Sequence, residues 1–251
     1  MKNKNNLLSI VTPNLNGGKY LEQTIKSIIN QDYEFIEYII IDGGSTDNSH
    51  EIIKKYLNRI DYFEVKKDDN MYEAINYGFR KAKGDIFSWL NSDDLYYSNC
   101  ISKIIKKMEK KNYHWVNCIS SSLEDKKIHS YKIPFFFPKK IIQDGKCHKS
   151  DYGFIPQESV FFSKEIYFKA GEIPTKYNFS GDFYLWKKMA IETSLKPIFC
   201  NAGIFRKREN QLSVINNDEY FKEINKQYIY KRNFFRLFIS IVYFIINFFK
   251  M

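Results

Sequence analysis

The 251 residues, 44% of them apolar, make one sizeable domain or two small ones with a real core. The net charge of +10 suits an anionic partner: nucleic acid, anionic lipid or a phosphorylated substrate. Cys100, Cys118, Cys147 and Cys200 form no C-x-x-C pair, which excludes a zinc spacing and leaves structural thiols in a reducing cytosol; the opening "MKNKNNLLSIVTPN" is too short an apolar run for a signal peptide.

Apolar runs alternate with helical patterns through the first half. "LLSIVT" (7–12) reads as a buried strand. "YLEQTIKSIINQ" (20–31) sets Leu21, Ile25, Ile28 and Ile29 at helical spacing. "FIEYIIID" (35–42) is the next strand and "HEIIKKYL" (50–57) the next helix. A third strand at 60–65, a third helix at 71–82 and a fourth strand at 85–90 follow. This alternation predicts an α/β fold, a mostly parallel Rossmann-like sheet with helices on both faces. Ligands of such sheets bind outside the carboxyl ends of the strands.

Those ends are polar or acidic four times over. They read Thr12-Pro13-Asn14, Asp42-Gly43-Gly44-Ser45-Thr46-Asp47, Asp68-Asp69-Asn70 and Asn91-Ser92-Asp93-Asp94. The adjacent carboxylates Asp93 and Asp94 repel unless water or a cation separates them. One explanation is local: Ser92, Asp93 or Asp94 caps a helix running from about 96 to 110. The other is a hard oxygen site for Mg²⁺ or Mn²⁺, which takes one or two carboxylates and fills its shell with phosphates and water. Asp42 is then placed to accept a hydrogen bond from a base or ribose hydroxyl. Neither G-x-G-x-x-G nor G-x-x-x-x-G-K-[ST] occurs, so no dinucleotide or P-loop site is indicated.

Four segments, "SIVTPNLNGGKYLEQTIKSIINQ", "IIIDGGSTDNSHEII", "MYEAINYGFRKAKGDIFSWLNSDD" and "GDFYLWKKMA", resemble the family 2 glycosyltransferases of the GT-A fold, in order from about 9 to 213. The bacterial branch that builds surface polysaccharides is the nearest in look. The resemblance implies a nucleotide-sugar donor, a divalent metal and inversion at the anomeric carbon. It places Thr12, Asn14, Asp42, Asp68 and Asn76 around the donor and the metal on Asp93 or Asp94. Three positions depart from the family pattern. Gly43 stands where a second Asp often contacts the base, Asn91 where many relatives carry Asp, and Asn70 where Gly is common. For Asn70 a positive φ is expected, since Asn is the next best residue there.

The second half is less regular. "WVNCIS" (115–120) reads as a strand and "KIPFFFPKK" as an aromatic loop. Gln157 and Glu158 fall in what resembles the family's acceptor-side segment; a plain loop-to-strand junction reads equally well. Asp182 opens a helix with Leu185, Trp186 and Met189 inward, and by itself reads as an N-cap. Its match to the family's catalytic Asp makes it the base that takes the acceptor hydroxyl's proton. In "GIFRKRENQLS" Arg206 matches the family's closing Arg, near the diphosphate, while Arg208 replaces a His. Taken alone, Arg208 reads sooner as part of a solvated basic loop.

The chain closes on "RNFFRLFISIVYFIINFFKM". Its 13-residue apolar run (237–249) makes a helix of roughly 20 Å, short against about 30 Å of hydrocarbon. Residues 222–251 carry half of the net +10. Together these predict a membrane-associated helical tail on an anionic surface, at the cytoplasmic face of the plasma membrane; a core-packing or dimer helix is the alternative. The expected division is a nucleotide-sugar half (1–100), an acceptor half (101–215) and the tail (216–251). The acceptor is expected to be a glycan or lipid-linked glycan. Three rivals stand beside a transferase. A nucleotidyltransferase needs a Gly-rich triphosphate loop, which "TPNLNGGK" matches poorly. A catalytically silent membrane module does not need Asp93 and Asp182. A nucleic-acid binder fits neither the acidic rim nor the charge concentrated in the tail.

Overall fold

The computed structural model describes residues 6–67, 70–125, 127–132, 136–148, 151–208 and 217–225. Asp68 and the tail beyond Asn225 lie outside the described residues. The chain begins with β1 (Leu8–Asn14), α1 (Gly18–Ile29), β2 (Ile36–Asp42), α2 (Ser49–Lys55), β3 (Tyr62–Val65), α3 (Met71–Lys81) and β4 (Ile86–Trp89). These are the seven elements expected from the pattern, with no boundary shifted by more than two residues. β1 is parallel to both β2 and β4, and β2 to β3.

The next stretch departs from expectation. The chain after Asp94 forms a short strand, β5 (Leu95–Tyr96), and the helix α4 starts only at Ile101 and ends at Lys111. Cys100 stands at its N-cap. None of Ser92, Asp93 and Asp94 therefore caps it. The reason is tertiary: β5 is claimed by an antiparallel partner, with Leu95 opposite Ile204 and Tyr96 opposite Gly203.

The remaining elements are β6 (Trp115–Glu124), β7 (Lys127–Lys132), α5 (Lys139–Gln143), β8 (Val160–Ser163), α6 (Lys164–Ala170), α7 (Gly181–Glu192), β9 (Lys196–Arg206) and α8 (Asn217–Glu223). Among the described residues nine strands form one mixed sheet, ordered β3-β2-β1-β4-β8-β6-β9-β5, with β7 paired to β6. No helix among them is long and apolar enough to cross a membrane.

Strand alternation splits the core in two. Leu8, Ile10, Tyr38 and Ile40 face α1, α2 and α4. Val11, Ile39, Ile41, Phe87 and Trp89 face α3, α6 and α7. On this second side Trp186 of α7 stacks between Trp89 of β4 and Trp115 of β6, with centroids 5.5 and 5.7 Å away. That stack fixes α7 against the strand whose end carries Asp93 and Asp94. Gly78 lets α3 lie flat on β1: a Cβ there meets Val11 Cγ1 at 2.6 Å.

Asn70 is extended, at φ −162° and ψ 164°, and not at the positive φ expected. It is the N-cap of α3, accepting from the N–H groups of Tyr72 and Glu73. The stretch assigned to the tail, from 216 on, contains α8. α8 packs back on the domain, with Phe221 and Ile224 buried against Phe183 of α7.

Candidate active site

The β2 end is organised by one carboxylate. Asp42 is fully buried, and its two oxygens take Asn14 Nδ2 (2.7 Å), Gly44 N (3.0 Å), Ser45 N and Ser45 Oγ (both 2.7 Å). His50 Nε2 lies 2.9 Å from the same carboxylate. Burial works to raise its pKa, but the bonds from Ser45, Asn14 and His50 outweigh burial and leave it below the usual carboxylate range. Asp42 thus shapes the 43–47 loop, and both its oxygens are engaged within the protein. Gly44, at φ +95°, allows the loop to turn back on itself.

The β4 end is the acidic loop. Asp94 is 1% exposed. Its Oδ1 accepts from Arg206 N at 2.9 Å. Its carboxyl is pushed well above the ordinary range by burial, then by Asp93 and Glu158. Asp93 is more open, and its Oδ2 takes Arg208 Nε at 2.7 Å. Thr24 Oγ1 of α1 lies 2.9 and 2.8 Å from the carbonyl oxygens of Ser92 and Asp94, tying the loop down from below.

Two buried amide oxygens in this region have no hydrogen-bond partner, Asn91 Oδ1 and Asn14 Oδ1. Gly17 makes room for the second: a Cβ there meets Asn14 Oδ1 at 2.2 Å and Ser92 Oγ at 2.7 Å. Unpaired buried oxygens beside the buried Asp94 and the more open Asp93 make a donor set suited to a hard cation. Among the described residues no three His, Cys, Asp or Glu side chains converge as a complete cage. A cation held by two carboxylates and completed by substrate phosphates does not require one.

Arg206 does not reach out as expected. Its Nε donates to Asp93 O and an Nη to Gln23 Oε1, both at 2.8 Å, and its guanidinium lies 4.5 Å from the Tyr20 ring centroid. With its backbone N–H on Asp94, it braces the acidic loop from β9. Asn76 is also diverted. Its amide donates to Ile173 O (2.9 Å) and accepts from Tyr167 OH and Ile173 N (2.7 and 3.1 Å), stapling α3 to the segment before α7. Thr12 is fully buried and lies 3.2 Å from the Tyr38 hydroxyl. Among the described residues assigned to the donor, Asn14 keeps a buried side-chain oxygen without a hydrogen-bond partner.

Asp182 is the second residue of α7. It keeps partial solvent access although densely surrounded by protein. Burial drives its pKa up to about 6, against hydrogen bonds from Phe183 N (2.8 Å) and Tyr72. Glu158 adds to the rise and acts on Asp94 as well. Glu158 is itself buried and accepts a short bond from the Ser120 hydroxyl. Its field therefore links the acidic loop to the helix of Asp182. Sequence reasoning named Arg208 and Glu158 and set Ser45 in the β2-end loop, but missed Gln23, His50 and Glu223. Each of these three acts through a partner at least eight residues away.

The glycosyl transferase family 2 model matches residues 9–167, more than half of the chain. The chain belongs to this family. A glycosyltransferase of Mycoplasma genitalium, itself uncharacterized, is 29% identical over 82% of this chain and 72% of its own length. An uncharacterized glycosyltransferase of Rickettsia typhi is 39% identical, over 49% of this chain and 39% of the relative. The match thus spans about two-fifths of that longer protein. S. aureus TarS 1–349 in complex with UDP-GlcNAc superposes with a TM-score of 0.68 at 15% identity, over 82% of this chain and 60% of that one. The mannosyltransferase PcManGT of Pyrobaculum calidifontis, in complex with GDP-Man and Mn²⁺, gives 0.65 at 16% identity, over 90% and 66%. At such identity the two structures establish the shared GT-A fold.

Proposed function

We propose that this family 2 protein is an inverting glycosyltransferase that moves a sugar from a nucleoside-diphosphate sugar to an acceptor hydroxyl. The observation that carries the reading is the pairing of the acidic loop, Asp93-Asp94, with a carboxylate of raised pKa at the start of α7. A base serves best when its pKa lies near the working pH, and Asp182 at about 6 meets that condition.

In the proposed step the Asp182 carboxylate removes the proton of the acceptor hydroxyl. The acceptor oxygen bonds to the anomeric carbon from the face opposite the leaving group. The bond from that carbon to the diphosphate oxygen breaks, and its electron pair departs with the nucleoside diphosphate. Asp93 and Asp94 would hold a divalent cation, Mg²⁺ or Mn²⁺, which when bound supplies neutralisation of the diphosphate charge. Arg206 and Thr24 keep the two carboxylates in place from opposite sides. Stacking of Trp186 keeps the base helix in register with them.

The chemistry extends to a lipid-linked glycan acceptor of a bacterial surface polysaccharide, handled at the cytoplasmic membrane face. The support is the basic, apolar sequence after residue 225 and the family branch that the motifs resemble. Calorimetric titration of UDP- and GDP-sugars, with and without Mn²⁺, tests the donor half. Binding strengthened by Mn²⁺ in the native protein and lost in Asp94→Ala is expected. Equal binding with and without metal would contradict the metal assignment.

A further inference from the structure

α8 reaches back to the helix that carries Asp182 and engages the turn before it through a single side chain. Glu223 Oε1 accepts from Asn178 N (2.8 Å). Its Oε2 accepts from Phe179 N (3.1 Å), Ser180 N (2.9 Å) and Ser180 Oγ (2.7 Å). Three consecutive backbone N–H groups and a hydroxyl thus converge on one carboxylate. Charge-assisted bonds of this kind are roughly twice as strong as neutral ones. The Ser180 hydroxyl, spent on Glu223, makes no cap bond to its own helix. The usual local device that fixes a helix start is therefore replaced by a group more than 40 residues downstream.

The rest of α8 holds that carboxylate in place. Tyr184 OH donates to Glu223 O at 2.9 Å. Phe221 and Ile224 are buried with Phe183. Tyr220 packs edge-on against Phe154, with centroids 5.3 Å apart. Asp182 follows Ser180 by two residues, so the setting of residues 178–180 sets the direction in which its carboxylate points.

We propose that Glu223 is a positioning residue for Asp182, latching the 178–180 turn so that the carboxylate at the start of α7 is held in its reactive orientation. The proposal rests on the reading of Asp182 as the base. It makes no contact with the acidic loop, so donor affinity is left alone. Loss of the latch acts on turnover, because an error of about 1 Å in a reacting group costs about a hundredfold in rate.

The test uses the full chain and Mn²⁺, with the UDP- or GDP-sugar that the native protein hydrolyses fastest as probe. Three measurements are made on Glu223→Ala and Glu223→Gln: kcat and KM for hydrolysis, donor affinity by calorimetry, and amide hydrogen exchange at 178–183. Glu223→Ala is expected to lower kcat about tenfold to a hundredfold, with KM and donor affinity within twofold, and to speed exchange at those amides. Glu223→Gln keeps one oxygen for Phe179 and Ser180 and is expected to recover most of the rate. Native kcat in Glu223→Ala, with Asp182→Asn inactive, would overturn the latch while leaving the base intact. So would loss of donor affinity and kcat in equal measure, which marks general damage. Native activity in Asp182→Asn would instead remove the base itself, whatever the exchange data show.

Discussion

Asp182→Asn separates chemistry from stability. Burial lifts this carboxyl from 3.8 to about 6, against the bonds from Phe183 and Tyr72. The folded pKa lies above the unfolded one, so the folded chain binds the proton more tightly. Below about pH 4 the side chain is neutral in both states and costs nothing. Above about pH 6 the folded chain carries a charge that its surroundings disfavour by up to about 3 kcal/mol. Asn has the same shape, stays neutral and keeps an oxygen for the Phe183 N–H, 2.8 Å away. The variant is therefore expected to be more stable than the native protein at pH 8 by up to about 3 kcal/mol, or roughly 5–10 °C in melting temperature. The gap should close as pH falls from 6 to 4. The same variant should bind donor normally and fail to turn it over. Native turnover should rise with pH through an apparent pKa of about 6 and then level. Melting curves and donor hydrolysis at pH 4, 6 and 8 supply both readings. Equal melting temperatures at pH 8 would refute the strained charge, and native turnover in the variant would refute the base.

Asp93→Ala and Asp94→Ala should each raise the Mn²⁺ concentration for half-maximal donor binding by about tenfold or more, read by titration; an unchanged midpoint in both would remove the metal from this loop. Trp186→Ala empties the space between Trp89 and Trp115 and should cost about 3–5 kcal/mol in denaturant unfolding; a loss under about 1 kcal/mol would mean that the stack does not anchor α7. Removal of residues 233–251 should abolish flotation with anionic liposomes while sparing donor binding, since Glu223 and every site residue remain. Equal flotation of the two forms would place membrane attachment elsewhere.

Much of the donor half was legible because its contacts are local. Apolar spacing marks α1 and α3, mostly apolar runs mark β1 and β2, and the polar strand ends point to one rim. The second half was not, because pairing there is between distant segments. β5 exists only because β9 reaches it across more than a hundred residues, and that pairing displaced the start expected for α4. Residue type also proved a poor guide to direction. Asp42, Asn76 and Arg206 have the chemistry for a ligand, yet each spends it on the protein. A buried loop at a strand end must satisfy its own backbone before it can face a substrate. Asn70 looked like a residue for positive φ because sequence shows only the side chain; the helix that follows used that side chain as a cap. Glu223 carries no motif at all, and only the return of α8 reveals what it holds.

Release of nucleoside diphosphate is the most direct measurement. Full-length protein is incubated with a panel of UDP- and GDP-sugars and Mn²⁺, nucleotide products are separated by chromatography, and the anomeric form of the freed sugar is read by proton NMR before it equilibrates. The expected result is UDP or GDP from at least one donor, an inverted sugar, and no release in EDTA or in Asp182→Asn. Nucleoside monophosphate as the product, a retained anomer, or no release from any donor of the panel would contradict it.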